Sequence, residues 1–139
     1  MASGAPTGTN GTVLVMDDEL FVREVLGAML RESGWSPVFA VDCDDAAIIY
    51  RQAMESGNRP VAALLDLTIP GNKGGKAAIP LLKALDPLLK AVASSGYSDD
   101  PIMVQPAEFG FAAAIHKPYT IEEIDSLLRA LVQNPDASA

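Results

Sequence analysis

Three observations predict an α/β fold built on a parallel sheet with helices on both faces. Short apolar runs of strand length recur along the 139 residues and alternate with segments of helical spacing. Some runs, such as Val61-Ala-Ala-Leu-Leu, are apolar at consecutive positions, the pattern of a strand covered on both sides. The alternation gives five strands and five helices, which a right-handed βαβ progression joins into one doubly wound sheet.

The first strand covers 12–16 and ends in Asp17-Asp18-Glu19. From Leu20 the spacing is helical as far as Ser33-Gly34, where glycine supplies the stop. Val22, Leu26, Met29 and Leu30 form its core stripe, and Phe21, Val25 and Ala28 a second apolar row beside it. Residues 37–41 form the second strand, with Trp35 capping the core beneath it, and 44–54 a helix with an acidic first turn. After the loop 56–60 the third strand delivers Asp66, and Pro70-Gly71 ends the run.

The Gly-rich loop 70–75 leads to a helix over about 76–85. Pro80 within it removes one bond and clashes with the preceding turn, so either the helix kinks there or its regular part begins near Ile79. The fourth strand covers 89–95, and a short helix spans 101–108, with Gly110 as its breaker. The fifth strand covers 111–116 and ends at Lys117-Pro118. Thr120 and Glu123 make a capping box for a last helix with Ile121, Ile124, Leu127, Leu128 and Leu131 on its apolar face.

Composition narrows the function. Lys and Arg number 10 against 18 Asp and Glu, a net charge of −8, which argues against phosphate-backbone contacts by this domain. The single Cys43 rules out an internal disulfide and fits a reducing, cytoplasmic setting; with no histidine nearby it reads as a packed thiol, not a nucleophile. No run approaches a membrane span, and residues 1–11, without a basic start or an apolar segment, do not read as a signal peptide. Residues 1–11 and 134–139 read as disordered tails flanking one domain over 12–133. No Gly-x-Gly-x-x-Gly follows a strand, so a dinucleotide site has no support.

Every strand of a parallel sheet ends on one edge, and ligands of open α/β sheets bind there. Read across the strand ends, that edge holds Asp17, Asp18, Asp66, Ser95 and Lys117. Uncompensated carboxylates brought together repel, and a hard divalent cation, Mg²⁺ above all, resolves this. The set suits phosphoryl transfer to a carboxylate: Asp66 attacks, Asp18 and Asp66 hold the metal, and Lys117 and Ser95 bind phosphoryl oxygens.

Val-Leu-Val-Met-Asp17-Asp18-Glu19, Leu-Leu-Asp66-Leu-Thr68-Ile-Pro70-Gly71, Ser-Ser95-Gly96-Tyr97 and His116-Lys117-Pro118-Tyr119 together resemble the receiver domain of two-component response regulators, over about 12–132. The resemblance implies the flavodoxin-like (βα)5 strand order 2-1-3-4-5. It makes Asp66 the phosphoacceptor, Asp18 a direct Mg²⁺ ligand, Asp17 a ligand through water and Thr68 a ligand through its carbonyl. Ser95 becomes the hydroxyl that approaches the phosphoryl group, and Pro118 a cis turn that presents Lys117. The wording of the loop after Asp66 is most similar to receivers of hybrid histidine kinases, and the chain then reads as a module of a longer protein. The sequence departs from the family at Ala114, where many members carry an aromatic switch residue, which puts output through the fourth helix, fifth strand and fifth helix in question.

The resemblance implies a histidine kinase or histidine phosphotransfer domain as partner, docking on Phe21, Val25, Pro118 and Tyr119; the same first-helix residues read equally well as a broadened core stripe. A weak homodimer is a further option, and neither nucleic acid nor membrane is expected as a direct partner. As a standalone receiver the chain is no enzyme beyond its own phosphorylation and dephosphorylation. Asp17 and Asp18 as simple helix starters and His116 as a phosphate donor are the bland and the tempting alternatives. Two rivals come from other classes. A haloacid dehalogenase-type hydrolase needs a second Asp where Thr68 stands, and a degenerate receiver used only for interaction has no need of the full acidic set.

Overall fold

A computed structural model describes residues 10–133. Residues 1–9 and 134–139, where most of the two expected tails fall, lie outside the described residues. The strands are β1 (Gly11–Met16), β2 (Trp35–Ala40), β3 (Ala62–Asp66), β4 (Ala91–Ser95) and β5 (Ala113–His116). They pair in parallel in the order β2-β1-β3-β4-β5, as expected. The helices are α1 (Leu20–Glu32), α2 (Cys43–Glu55), α3 (Gly75–Leu85), α4 (Pro101–Val104) and α5 (Ile121–Gln133).

The sheet separates two apolar layers. On one face Val13, Val15, Leu64 and Val92 pack with Leu26 and Leu30 of α1 and with Ile124, Leu128 and Leu131 of α5. On the other, Leu14, Met16, Leu65 and Ala93 pack with Ala46 and Tyr50 of α2 and with Ala78 and Leu82 of α3. Alternate residues of each strand serve opposite layers, which is why these strands read as continuous apolar runs. Of the expected α1 stripe, Leu26 and Leu30 are buried and Val22 and Met29 partly so.

Several boundaries differ from expectation for identifiable reasons. Trp35 does not cap the core below β2; it is the first residue of that strand, paired with Gly11, and is 1% exposed. Its indole Nε1 donates to Asp125 Oδ1 at 2.9 Å, which ties β2 to α5. The strand β1 starts one residue early, at Gly11, and the Asn10 backbone N–H donates to the Gly34 carbonyl. β4 and β5 are shorter than expected, because Leu89 and Phe111 are buried at their entrances without joining the ladder.

The expected helix over 101–108 stops at Val104. Pro106 has no N–H to continue it, and the chain tightens into a 3₁₀ turn, Pro106–Phe109, before Gly110 at φ 89°. α3 begins at Gly75 and runs through Pro80, so its regular part does not wait for Ile79. Pro80 lies on the exposed side, where the carbonyl it leaves without a donor is open to water. The capping box of α5 is formed, with the Thr120 N–H donating to Glu123 Oε1 at 2.7 Å and the Glu123 N–H to Thr120 Oγ1 at 3.1 Å.

Candidate functional site

The strands release Asp17, Asp66, Ser95 and Lys117 at the same edge, at or one residue past their last paired positions. Asp17 and Asp66 are 1% and 3% exposed, whereas Asp18 is open to solvent. Each of the three offers a carboxylate oxygen within 4.8 Å of the others. Lys117 Nζ lies 2.8 Å from Asp17 Oδ2 and 3.6 Å from Asp66 Oδ1. The Lys117–Pro118 peptide is cis, as the resemblance implied.

Each carboxylate is aimed by its surroundings. Asp17 Oδ1 accepts the Glu19 N–H at 3.0 Å, and the Asp17 carbonyl accepts from Arg23 Nη1 at 2.8 Å. Asp66 Oδ1 accepts from the Thr68 N–H at 3.1 Å and from its hydroxyl at 2.9 Å. Ser95 is fully buried; its Oγ accepts the Tyr97 N–H at 2.9 Å, and its carbonyl accepts the Lys117 N–H at 2.8 Å. Gly74 is required behind Asp66, since a Cβ there would stand 3.0 Å from the Asp66 and Leu67 carbonyl oxygens.

Burial pushes the Asp66 carboxyl above its usual range, against the Thr68 N–H and Lys117, which favour the charge. For Lys117 burial alone would lower the value, but the Asp17 hydrogen bond and the two carboxylates hold the ammonium above its ordinary range. The ammonium therefore stays charged and offsets part of the repulsion between the carboxylates. Two carboxylates, an exposed third and nearby oxygen atoms form the donor set that a hard divalent cation takes. The residues fit Mg²⁺ at this place.

Elsewhere the sequence reading divides. Phe21 and Val25 are 76% and 42% exposed, and Ala28 is exposed too, so this row does not broaden the core. With Val22, Met29, Pro118 and Tyr119, Phe21 and Val25 line an apolar groove of about 190 Å³ beside Lys117. Ala114 is half-buried and packs on the α2/α3 layer. His116 is exposed at the end of β5, and Cys43 is buried, its thiol pushed up by burial and then by Asp44. Two contributors escaped the sequence reading. Arg23 carries no signal beyond its place in the first turns of α1, while Ser94 was overshadowed by Ser95 beside it.

Fold and site together define a parallel α/β protein with a carboxylate–ammonium cluster at the carboxyl edge of its sheet. The family model of the response regulator receiver domain matches residues 13–129, and the chain belongs to that family. An NtrX-like response regulator of Rickettsia bellii is 27% identical over 84% of this chain and 24% of its own length. The transcriptional regulatory protein PrrA of Mycobacterium tuberculosis is 31% identical over 94% of this chain and 54% of its own. The chain thus spans between a quarter and about half of these relatives.

Among solved structures, NtrX of Brucella abortus superposes with a TM-score of 0.77 at 23% identity, covering 91% of this chain and 28% of that one. The receiver domain of a Pseudomonas aeruginosa sensor histidine kinase, crystallised with magnesium in its active site cleft, gives 0.76 at 19% identity, over 90% and 99% of the two chains. These likenesses show the fold. Among the described residues no helix is long and apolar enough to cross a membrane.

Proposed function

We propose that this receiver domain accepts a phosphoryl group on Asp66 from a phosphohistidine, with Mg²⁺ held by Asp18, Asp66 and the Thr68 carbonyl and, through water, by Asp17. The observation that carries the reading is the meeting of three carboxylate oxygens within 4.8 Å beside a half-buried ammonium. Thr68 and Lys117 engage Asp66 Oδ1, and Oδ2 is the oxygen that attacks phosphorus. The new O–P bond forms as the P–N bond to the imidazole breaks, and the imidazole leaves with the electron pair and takes up a proton. Mg²⁺, when bound, supplies charge neutralisation between the carboxylates and the phosphoryl oxygens.

Lys117 needs only a small movement from Asp17 to meet a phosphoryl oxygen, and its charge is held for that role. The Ser95 hydroxyl accepts from Tyr97, which leaves its own proton for a phosphoryl oxygen. The groove over Phe21, Val25, Pro118 and Tyr119 suits the helix of a histidine kinase or histidine phosphotransfer domain that brings the phosphohistidine to Asp66. Similarity of the loop after Asp66 to hybrid-kinase receivers supports a cytoplasmic phosphorelay, with the domain acting as part of a longer chain.

Intact-mass measurement after incubation with acetyl phosphate tests the assignment. One phosphoryl group is gained with Mg²⁺, none with a chelator, and none in Asp66→Asn. Mass gain that persists in Asp66→Asn refutes the acceptor role. Absence of any adduct, with beryllofluoride also silent, favours a domain used only for interaction, and sustained turnover of unrelated phosphate esters favours a hydrolase.

A further inference from the structure

Ser94 stands beside Ser95 at the end of β4 and points to the opposite face of the sheet. Register places its Cα next to Asp66 on β3 and Ile115 on β5. Leu64 and Val92, two residues earlier on the same strands, belong to the α1/α5 layer, so Asp66 and Ser94 issue toward that layer as well. Ser94 is 3% exposed, and its hydroxyl has no hydrogen-bond partner among the described residues. The buried hydroxyl of Tyr119 has none either. Buried polar atoms are nearly always paired, so two such hydroxyls side by side call for an explanation.

The Ser94 hydroxyl faces the Tyr119 phenol, and the charges of Asp17 and Asp66 reach the phenol too. Burial, against the opposing Ser94 hydroxyl and with the smaller help of those charges, pushes the phenol up to about 12, so it stays neutral and keeps its proton to donate. The ring itself packs in the α1/α5 layer and forms a wall of the groove with Val22, Val25 and Met29. A path of adjacent groups thus runs from Asp66 through the Ser94 and Tyr119 hydroxyls to the groove. Ala114 lies on the other layer and takes no part in it.

We propose that Ser94 and Tyr119 form a hydroxyl pair that couples the charge on Asp66 to the shape of the α1 groove. The coupling rests on Asp66 being the phosphoacceptor. Phosphorylation adds negative charge and acceptor oxygens where the carboxylate stands. The Ser94 and Tyr119 hydroxyls are drawn toward that charge, and because the phenol oxygen is rigidly fixed to its ring, displacement of the oxygen shifts the groove wall with it. Both are positioning residues: they touch neither phosphorus nor metal, and their effect is read at the surface where the partner docks.

NMR of methyl-labelled methionine reads both ends of the path in one sample. Met16 ends β1 next to Asp17, and Met29 lines the groove. With beryllofluoride and Mg²⁺, both resonances are expected to shift in the unaltered protein. In Ser94→Ala the Met16 shift persists and the Met29 shift is lost; Tyr119→Phe, which keeps the ring, also loses the Met29 shift. A Met29 response preserved in both variants overturns the coupling, as does a Met29 that never moves while Met16 does. Silence at both methionines, with no Asp66-dependent adduct, overturns the phosphoacceptor reading and the coupling with it.

Discussion

Tyr50→Phe removes a single oxygen from the edge of the sheet opposite the acidic site. Tyr50 on α2 is fully buried and donates its hydroxyl to Asp86 Oδ2 at 2.6 Å. Asp86, which caps the end of α3, also receives Arg59 Nε at 2.7 Å and Nη2 at 3.2 Å and the Leu88 N–H at 3.0 Å. The substitution leaves no cavity of methyl size, so the cost is that of one hydrogen bond to a charged group, about 1.5–3 kcal/mol. Arg59 and Leu88 still hold the carboxylate, which places the loss near 2 kcal/mol, or roughly 6–10 °C in Tm for a domain of this size. Urea unfolding followed by circular dichroism reads it as a lower midpoint with unchanged slope.

The pH dependence provides the stricter test. Burial works against the charge on Asp86, but the Tyr50 hydroxyl, the Arg59 guanidinium and the Leu88 N–H outweigh it and hold the carboxyl below its usual range. A carboxyl held low in the folded state contributes stability that is complete above its unfolded value of about 4 and is lost as pH falls through the folded value. The gap between wild type and Tyr50→Phe should therefore stay constant from neutral pH to about 5 and narrow below about 4. A gap under about 0.5 kcal/mol at neutral pH, or one that does not narrow in acid, refutes the reasoning.

Gly74→Ala should lower Mg²⁺ affinity roughly 10-fold, by calorimetric titration, without touching an acidic side chain. Its Cβ would press on the Asp66 and Leu67 carbonyls at 3.0 Å and displace the strand end that carries Asp66; an unchanged affinity would show that the loop yields instead. Ala114→Tyr should leave phosphorylation of Asp66 in place and alter only partner affinity, measured by titration of the phosphorylated and unphosphorylated forms, because Ala114 packs on the α2/α3 layer away from the carboxylates. Loss of phosphorylation in that variant would contradict this placement.

Much of the fold was legible because it rests on local patterns. Continuous apolar runs announce strands covered on both faces, and Thr120 with Glu123 announces the start of α5, since both depend on neighbours in sequence. Boundaries slipped where the deciding partner is remote. Trp35 joins β2 because Gly11 stands opposite and Asp125 takes its N–H, and neither is visible in a local window. The two equal readings of Phe21 and Val25 were also undecidable locally, since one helix offers two apolar rows and only packing chooses which the sheet covers.

The site divides along the same line. From the sequence alone came the residue types at the strand ends, Asp17, Asp18, Asp66, Ser95 and Lys117, because a parallel sheet carries every strand end to one edge whatever the details of packing. Only the tertiary structure decided how they meet. Lys117 rests on Asp17 more closely than on Asp66, Thr68 turns its hydroxyl onto Asp66, and Arg23 fastens the Asp17 carbonyl. The hydroxyls of Ser94 and Tyr119 belong to this second category. The strands and loops that bring them together are 25 residues apart in sequence, and their lack of partners is a property of three-dimensional packing, which no spacing rule contains.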